Sequence, residues 1–414
     1  MNWRCWRFVS TFSTRSVSGI VGFPTLAALR PFPFSPIVGT CVPPHHGPPV
    51  MFPSDAAAPR SRWRRVAVTG ATGFVGGHLI DRLREEGVEV LCVCRPTSNR
   101  ERLERRGFAC RVVPPEDDEA WKEVVREVDV IFHLAAATSA RTAQDYYRAN
   151  TELTRRIARA ALACPSPPLF VYCSSIAAAG PVPRGQLRTP GTPVAPVSHY
   201  GRSKRGGELV LAEVAGDVPV TVVRPGIVFG PGNRELYPVF ASLARTRLHI
   251  VPGFRPPPLS LIHIDDLVEL LWRVAERGAR LPPSPSPSAS NGPVPRVGGH
   301  IPANDQGVYL AGAPEQLDYR QLGSVVAQAL GLRYFLTLHV PQPLPFVVAA
   351  AVEAWSRWNS QDAPFQIDKI REAAAPSWAC HDPRLANDLH FTFGRSLQER
   401  LEETARWYRE HQWL

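Results

Sequence analysis

Two hydrophobic rhythms alternate between residues 65 and 224. Short β-branched or aromatic apolar runs at 65–69, 88–94, 108–113, 128–133, 168–173 and 219–223 read as buried strands. Stretches with helical spacing separate them, at 74–86, 118–127, 142–163 and 198–214. Short, mostly apolar strands that alternate with helices predict an α/β fold: a doubly wound parallel sheet covered on both faces.

Beyond about residue 230 the rhythm changes. The pattern assigns 231–414 mainly to a smaller C-terminal α/β lobe that holds substrate, with the main domain (65–230) returning around 259–277. Residues 281–306 are rich in Pro, Ser and Gly and read as a disordered surface insertion. Structure resumes at 307-GVYLAG-312, followed by a helix over 318–330. The final amphipathic helix, within 396–414, aligns Leu397, Leu401, Ala405 and Tyr408 on one face.

Residues 1–60 lack periodicity and are expected to be a disordered or mis-annotated extension. Met1 and Met51 are the only methionines, so one reading starts translation at Met51. The rival is an acid-poor, Arg- and Ser-bearing targeting peptide. No apolar run reaches the roughly 18–20 residues that span a bilayer. The longest, 344-LPFVVAAAVEAW-355, is interrupted by Pro345 and Glu353 and reads as a buried helix. A helix lying on a membrane surface is the weaker alternative.

Charge adds little. Residues 1–65 hold eight arginines and one acid, Asp55, and so carry seven of the ten net positive charges. No basic stripe is interleaved with aromatics, which disfavours nucleic acid as a partner. The eight cysteines are scattered, without a CxxC pair or metal-ligand spacing, so no metal is expected. Cys92 and Cys94 share one face of a strand, as small buried residues of a reducing, cytoplasmic protein.

The run 66-VAVTGATGFVGGHLIDRL-83 is strand, tight turn, helix. Gly70 permits the turn, Gly73 lets backbone approach a pyrophosphate, and Gly76 lets the helix pack on the strand. The helix N-terminus would face the phosphates. This is a Rossmann-type dinucleotide site. Where an acid would hold the NAD ribose, after 88-VEVLCVC-94, stands Arg95. A cation fits a 2′-phosphate, so NADP(H) is the preferred cofactor and NAD(H) the alternative. A surface arginine in an arginine-rich chain is the competing reading.

Lysine is scarce: Lys122, Lys204 and Lys369 are the only three among 47 basic residues. One of them completes 200-YGRSK-204, placing Tyr200 and Lys204 on one face of a helix. A phenol titrates near 10, and a neighbouring ammonium is expected to bring it toward neutral pH for acid–base work. Ser175, after the strand 169-LFVYCS-174, could hold the substrate carbonyl, or merely cap the strand end. Asn150 in 147-YRANTEL-153 could extend a proton relay, or lie on the helix surface.

With these residues in place, the chain resembles the extended short-chain dehydrogenase/reductase superfamily over roughly 65–414. The resemblance rests on 69-TGATGFVG-76, 133-HLAA-136, Asn150, 173-CSSIAAAG-180, 200-YGRSK-204, 224-RPGIVFGPG-232 and 261-LIHIDDL-267. It implies Tyr200 as acid/base, Lys204 as its partner, Ser175 as the substrate-orienting hydroxyl and Asn150 as a fourth member. It implies cofactor contacts at Gly70, Thr72, Gly73, Phe74, Val75 and Gly76, at Leu134, Ala135 and Ala136, at Pro225, Gly226, Ile227 and Val228, and at Tyr200 and Lys204. Asp265 or Asp266 would cap the helix after His263.

There are departures. The third strand ends 112-VVPPEDD-118 without Gly-Asp, so an adenine contact would shift to Asp117, Asp118 or backbone. The Arg-Asp pair of nucleotide-sugar enzymes is replaced within 257-PPLSLIHIDD-266, and no Asp-Glu follows Ser175. The segment 174-SSIAAAGP-181 looks like the 3β-hydroxysteroid dehydrogenase and dihydroflavonol reductase branch. The resemblance therefore implies an oxidoreductase of a secondary alcohol or ketone with an apolar ring-containing substrate. A nucleotide-sugar epimerase is the runner-up, and a catalytically silent nucleotide-binding subunit the third reading. Helices 142–163 and 198–214 offer faces on which a homodimer would pair.

Overall fold

The computed structural model of the protein describes residues 62–284, 301, 305–341 and 366–414. The expected extension 1–60, most of the insertion 281–306 and the apolar stretch 344–355 lie outside the described residues.

The apolar runs become β1 (Arg65–Thr69), β2 (Glu89–Cys94), β3 (Ala109–Val112), β4 (Val130–His133), β5 (Leu169–Cys173) and β6 (Val220–Pro225). Further strands are β7 (Ile227–Phe229), β8 (Leu248–Pro252), β9 (Pro258–His263), β10 (Val308–Ala311), β11 (Gln316–Asp318) and β12 (Leu336–Val340). Seven pair in the order β10-β6-β5-β4-β1-β2-β3, every pair parallel. The strand β10 lies within the stretch that periodicity gave to the smaller lobe. It returns after the Pro/Ser-rich segment to close the main sheet beside β6.

Both faces of this sheet are covered. Helices α1 (Phe74–Glu85), α2 (Glu101–Arg105) and α3 (Asp118–Arg126) follow the first three strands. Next, α4 (Ala143–Tyr147) runs through a π turn, Arg148–Glu152, into α5 (Leu153–Leu162). Then come α6 (Ile176–Ala179), α7 (His199–Val214), α8 (Tyr237–Thr246), α9 (Ile264–Arg277), α10 (Tyr319–Ala329) and α11 (Gln366–Ala373). One face packs Leu79, Ile80 and Leu83 of α1 with Leu270, Leu271 and Val274 of α9. The other packs Trp121 and Val124 of α3, Ile157 of α5 and Leu211 of α7. Each such side chain contributes roughly 1.5–3 kcal/mol on burial, and the dozens buried here hold the layers together.

A third apolar cluster lies mostly outside the main sheet, touching it at Leu310 of β10. It joins Ile176, Phe229, Val239, Phe240, Leu322 and Val326 to the terminal helix Leu397–Glu410, whose Leu397, Leu401, Ala405 and Tyr408 are all buried. Small sheets β11-β9-β7 and β12-β8 belong to the same region.

Sequence adjacency missed a third thiol near Cys92 and Cys94. Cys110 stands opposite Cys92 on β3. Burial raises all three, Cys92 to about 12 and Cys94 to about 11, so they remain protonated. The six cysteines among the described residues are free.

Candidate active site

The strand order reverses between β1 and β4, and ligands of doubly wound sheets bind beyond the carboxyl ends at such a point. Gly70 leaves β1 with φ +75°, and a Cβ there would stand 2.8 Å from the Ala135 nitrogen. A Cβ on Gly76 would meet the Gly70 carbonyl oxygen at 2.2 Å. Gly73 caps α1 without any side-chain hydrogen bond, which leaves the first-turn N–H groups for an anion. Thr72 is exposed, and Phe74 and Val75 are partly exposed at the same helix end. This cradle fits a dinucleotide pyrophosphate. On the opposite side, Gly226 seats the Pro225–Val228 backbone against β9; a Cβ would meet the Ser260 oxygen at 2.2 Å.

Buried hydrogen bonds fix the floor between β1 and β4. The Ala135 N–H donates to Thr69 Oγ1 (3.1 Å), which lies 2.7 Å from His133 Nδ1. His133 Nε2 lies 2.9 Å from Thr154 Oγ1, whose hydroxyl donates to the Asn150 carbonyl at 2.8 Å. Since that hydroxyl proton is committed, Nε2 carries the ring proton and Nδ1 accepts from Thr69. Burial, helped by the Lys204 charge, lowers His133 to about 3, so it stays neutral. The loop bearing Leu134–Ala136 is thereby locked.

Ser198 caps α7 and turns Tyr200 toward the site. Tyr200 is partly buried, and its ring centre lies 6.0 Å from that of Tyr146. Ser175 also caps α6, accepting from the Ala177 N–H at 3.1 Å. Its neighbour Ser174 points elsewhere, donating to Glu208 at 2.6 Å.

Lys204 is buried. Its Nζ donates to the Cys173 carbonyl at 2.7 Å and lies 4.2 Å from the Tyr172 ring centre. Burial lowers it to about 8. The expectation that this ammonium lowers the Tyr200 pKa does not match the arrangement. Burial dominates and raises Tyr200 above an ordinary phenol, opposed by Ser175 and reinforced by Glu372 and Glu235. The phenol is therefore protonated at neutral pH.

Asn150 is buried in the π turn rather than on a helix surface. Its Oδ1 accepts from the Ala137 N–H at 2.8 Å, and its Nδ2 donates to the Ala137 carbonyl at 3.1 Å and to Ser203 Oγ at 2.9 Å. It ties the β4 loop to α7. Arg95 is exposed after β2, and no ion pair holds it among the described residues, unlike Arg100, which pairs with Glu104. Asp117 caps α3 and Asp118 pairs with Arg156, so both candidate adenine acids serve the fold.

The cap after β9 corrects another expectation. His263 caps α9, its Nδ1 accepting from the Asp265 N–H, because both aspartates are taken by Arg400 at 2.9 and 2.8 Å. His263, Asp265 and Glu403 could approach a cation, but the Arg400 guanidinium already bridges the two carboxylates.

Several residues around Tyr200 were not legible beforehand. The buried Asp368 of α11 accepts from the His199 and Tyr200 N–H groups at 2.7 and 2.9 Å, while Ser198 donates to Glu372 at 2.6 Å. Lys369 Nζ lies 5.4 Å from the Tyr200 ring centre. The scarcity of lysine was the one available signal for Lys369. The fully buried Arg188 donates to the carbonyls of Gly180, Thr192, Pro181 and Pro193, shaping the loop beside Ser175.

The family model described as NAD dependent epimerase/dehydratase family matches residues 66–285. Among curated proteins, a ceramide reductase of Caulobacter vibrioides is 26% identical over 360 residues, covering 84% of this chain and 96% of that protein. A dTDP-6-deoxy-L-talose 4-dehydrogenase (NAD(P)(+)) of Kitasatospora kifunensis is 33% identical over 179 residues, 42% of this chain and 56% of that protein. The dTDP-glucose 4,6-dehydratase of Streptomyces venezuelae, solved with NAD bound, superposes with a TM-score of 0.62 at 20% identity, covering 84% of this chain and 97% of that one. This chain belongs to the NAD-dependent epimerase/dehydratase family and is an NAD(P)-dependent enzyme of the extended short-chain dehydrogenase/reductase type.

Proposed function

We propose that the protein is an NADP(H)-dependent reductase that converts a ketone on an apolar substrate to a secondary alcohol. The observation that carries this reading is the apolar cluster on which Tyr200 packs, with Ile176, Ala177, Phe229, Val239 and Phe240. Positions that would bear the Arg-Asp pair of a nucleotide-sugar enzyme lie in 257–260, where Leu259 and Ser260 are buried and uncharged. Likeness to a ceramide reductase along nearly its whole length supports a lipid-like substrate. Sterol- or flavonol-like rings remain within the same apolar class.

The nicotinamide supplies the hydride when bound. Tyr200, protonated at neutral pH, donates its proton to the substrate oxygen. Ser175, at the cap of α6, holds the same oxygen. Lys204 fixes a positive charge behind the helix turn, and Asn150 keeps α7 in register with the β4 loop. The unpaired Arg95 is assigned to the 2′-phosphate. A cytoplasmic setting, expected from the cysteines, forms part of the proposal.

The test offers NADPH with long-chain 3-keto lipids and sterol ketones on one side and with nucleotide hexoses on the other. Net NADPH oxidation by apolar ketones is expected. Interconversion of a nucleotide hexose without net oxidation would establish the epimerase reading instead.

A further inference from the structure

The parallel pair β8-β12 presents apolar side chains to solvent where a sheet ordinarily places polar ones. Its register sets Leu248, Ile250 and Pro252 opposite Leu336, Leu338 and Val340. Successive residues alternate faces, and His249 and Val251, between them, are buried. The outward face is thus wholly apolar. Ile250 is 50% exposed, Leu336 67% and Leu338 49%, with Phe254 and Tyr334 at 72% and 77% beside them. Clusters of this kind mark interaction surfaces.

The two chain stretches that carry the patch hold charge of one sign. Residues 236–264 and 319–352 contain no Asp or Glu, although the two stretches are far apart in the chain. Arg247, Arg255 and Arg333 flank the strands and are exposed. The sequence beyond β12 continues apolar and acid-free to residue 352. Apolar side chains on two stretches that carry arginine and no acid match a bilayer with anionic headgroups.

The patch and the site border one apolar cluster. Leu332 and Phe335, on either side of Arg333 and Tyr334, pack in the same cluster as Tyr200 and Ile176. Arg184, in the loop after Ser175, donates to the Arg255 and Pro256 carbonyls at 2.5 and 3.2 Å. His339 stacks on Phe254 with ring centres 5.7 Å apart.

We infer that the β8-β12 face docks on the surface of an anionic lipid bilayer, placing the site where a membrane-resident apolar substrate is found. The inference extends the apolar-substrate reading but is tested without substrate. Full-length protein is sedimented with phosphatidylcholine vesicles, with and without phosphatidylglycerol. Binding that needs the anionic lipid, falls with salt and drops by roughly tenfold or more in a Leu336→Ser, Leu338→Ser variant is expected. Unchanged thermal stability and NADPH affinity would show that this variant folds. Failure to sediment with either vesicle, binding indifferent to anionic lipid, or equal binding by the variant would overturn the inference. A dimer that the same substitutions dissolve would also overturn it, because a second copy would then cover the face. Turnover of a water-soluble ketone without vesicles reports on catalysis separately.

Discussion

Glu208→Gln should loosen the helix that carries Tyr200 and Lys204, by an amount its contacts define. Glu208 and Arg224 are both fully buried, and the carboxylate accepts from Arg224 Nε and Nη2 at 2.8 Å each. Ser174 and Arg205 add bonds of 2.6 and 2.8 Å. An amide of the same shape turns an N–H₂ toward a guanidinium and leaves a buried charge. Asp305, 3.4 Å from Arg224, retains part of the compensation. Breaking such a pair costs roughly 3–5 kcal/mol, and the remaining carboxylate argues for about 3. At about 2 °C per kcal/mol for a large unit, the melting temperature should fall by roughly 6 °C.

The same pair sets an acid limb. Burial pushes Glu208 up, but Arg224 outweighs it and holds the carboxyl at about 2, below its ordinary 4.5. A depressed carboxyl stabilises the fold above its unfolded value, and that stabilisation disappears as pH falls from about 4.5 through 2. Thermal melts followed by circular dichroism across this window should show the wild type losing its advantage over Glu208→Gln. A variant melting within a degree of wild type at neutral pH would refute the reasoning.

Tyr200→Phe should lower kcat/KM by about 10²–10⁴-fold, with NADPH affinity nearly unchanged in a fluorescence titration; retained turnover would remove Tyr200 as the acid. Arg95→Asp should shift the NADPH/NADH affinity ratio toward NADH, and an unchanged ratio would return Arg95 to the status of a surface residue. Reduction should weaken as pH rises past about 8, where Lys204 loses its proton. A flat profile through that region would exclude Lys204 as an essential cation.

The parallel sheet was readable because its central strands β1, β4 and β5 are short, mostly apolar runs that are almost wholly buried. The terminal helix was readable because one stripe at positions 397, 401, 405 and 408 suffices to bury it. The π turn at Arg148–Glu152 was not, since one widened turn barely disturbs periodicity while changing where Asn150 points. The burial of Glu208 and Arg224 was not legible, because it depends on a partner on another element. His263 displaced the expected aspartate cap because Arg400, over 130 positions along the chain, claims both carboxylates. Asp368 and Lys369 reach Tyr200 only through tertiary packing that no local pattern announces.

The first measurement is the identity and exchangeability of the cofactor in purified protein. Protein that binds NADPH reversibly, more tightly than NADH, and oxidises it in the presence of an apolar ketone is the expected result. Protein that retains NAD through gel filtration and resists exchange would contradict the reductase assignment, because an epimerase must keep its hydride carrier through the cycle.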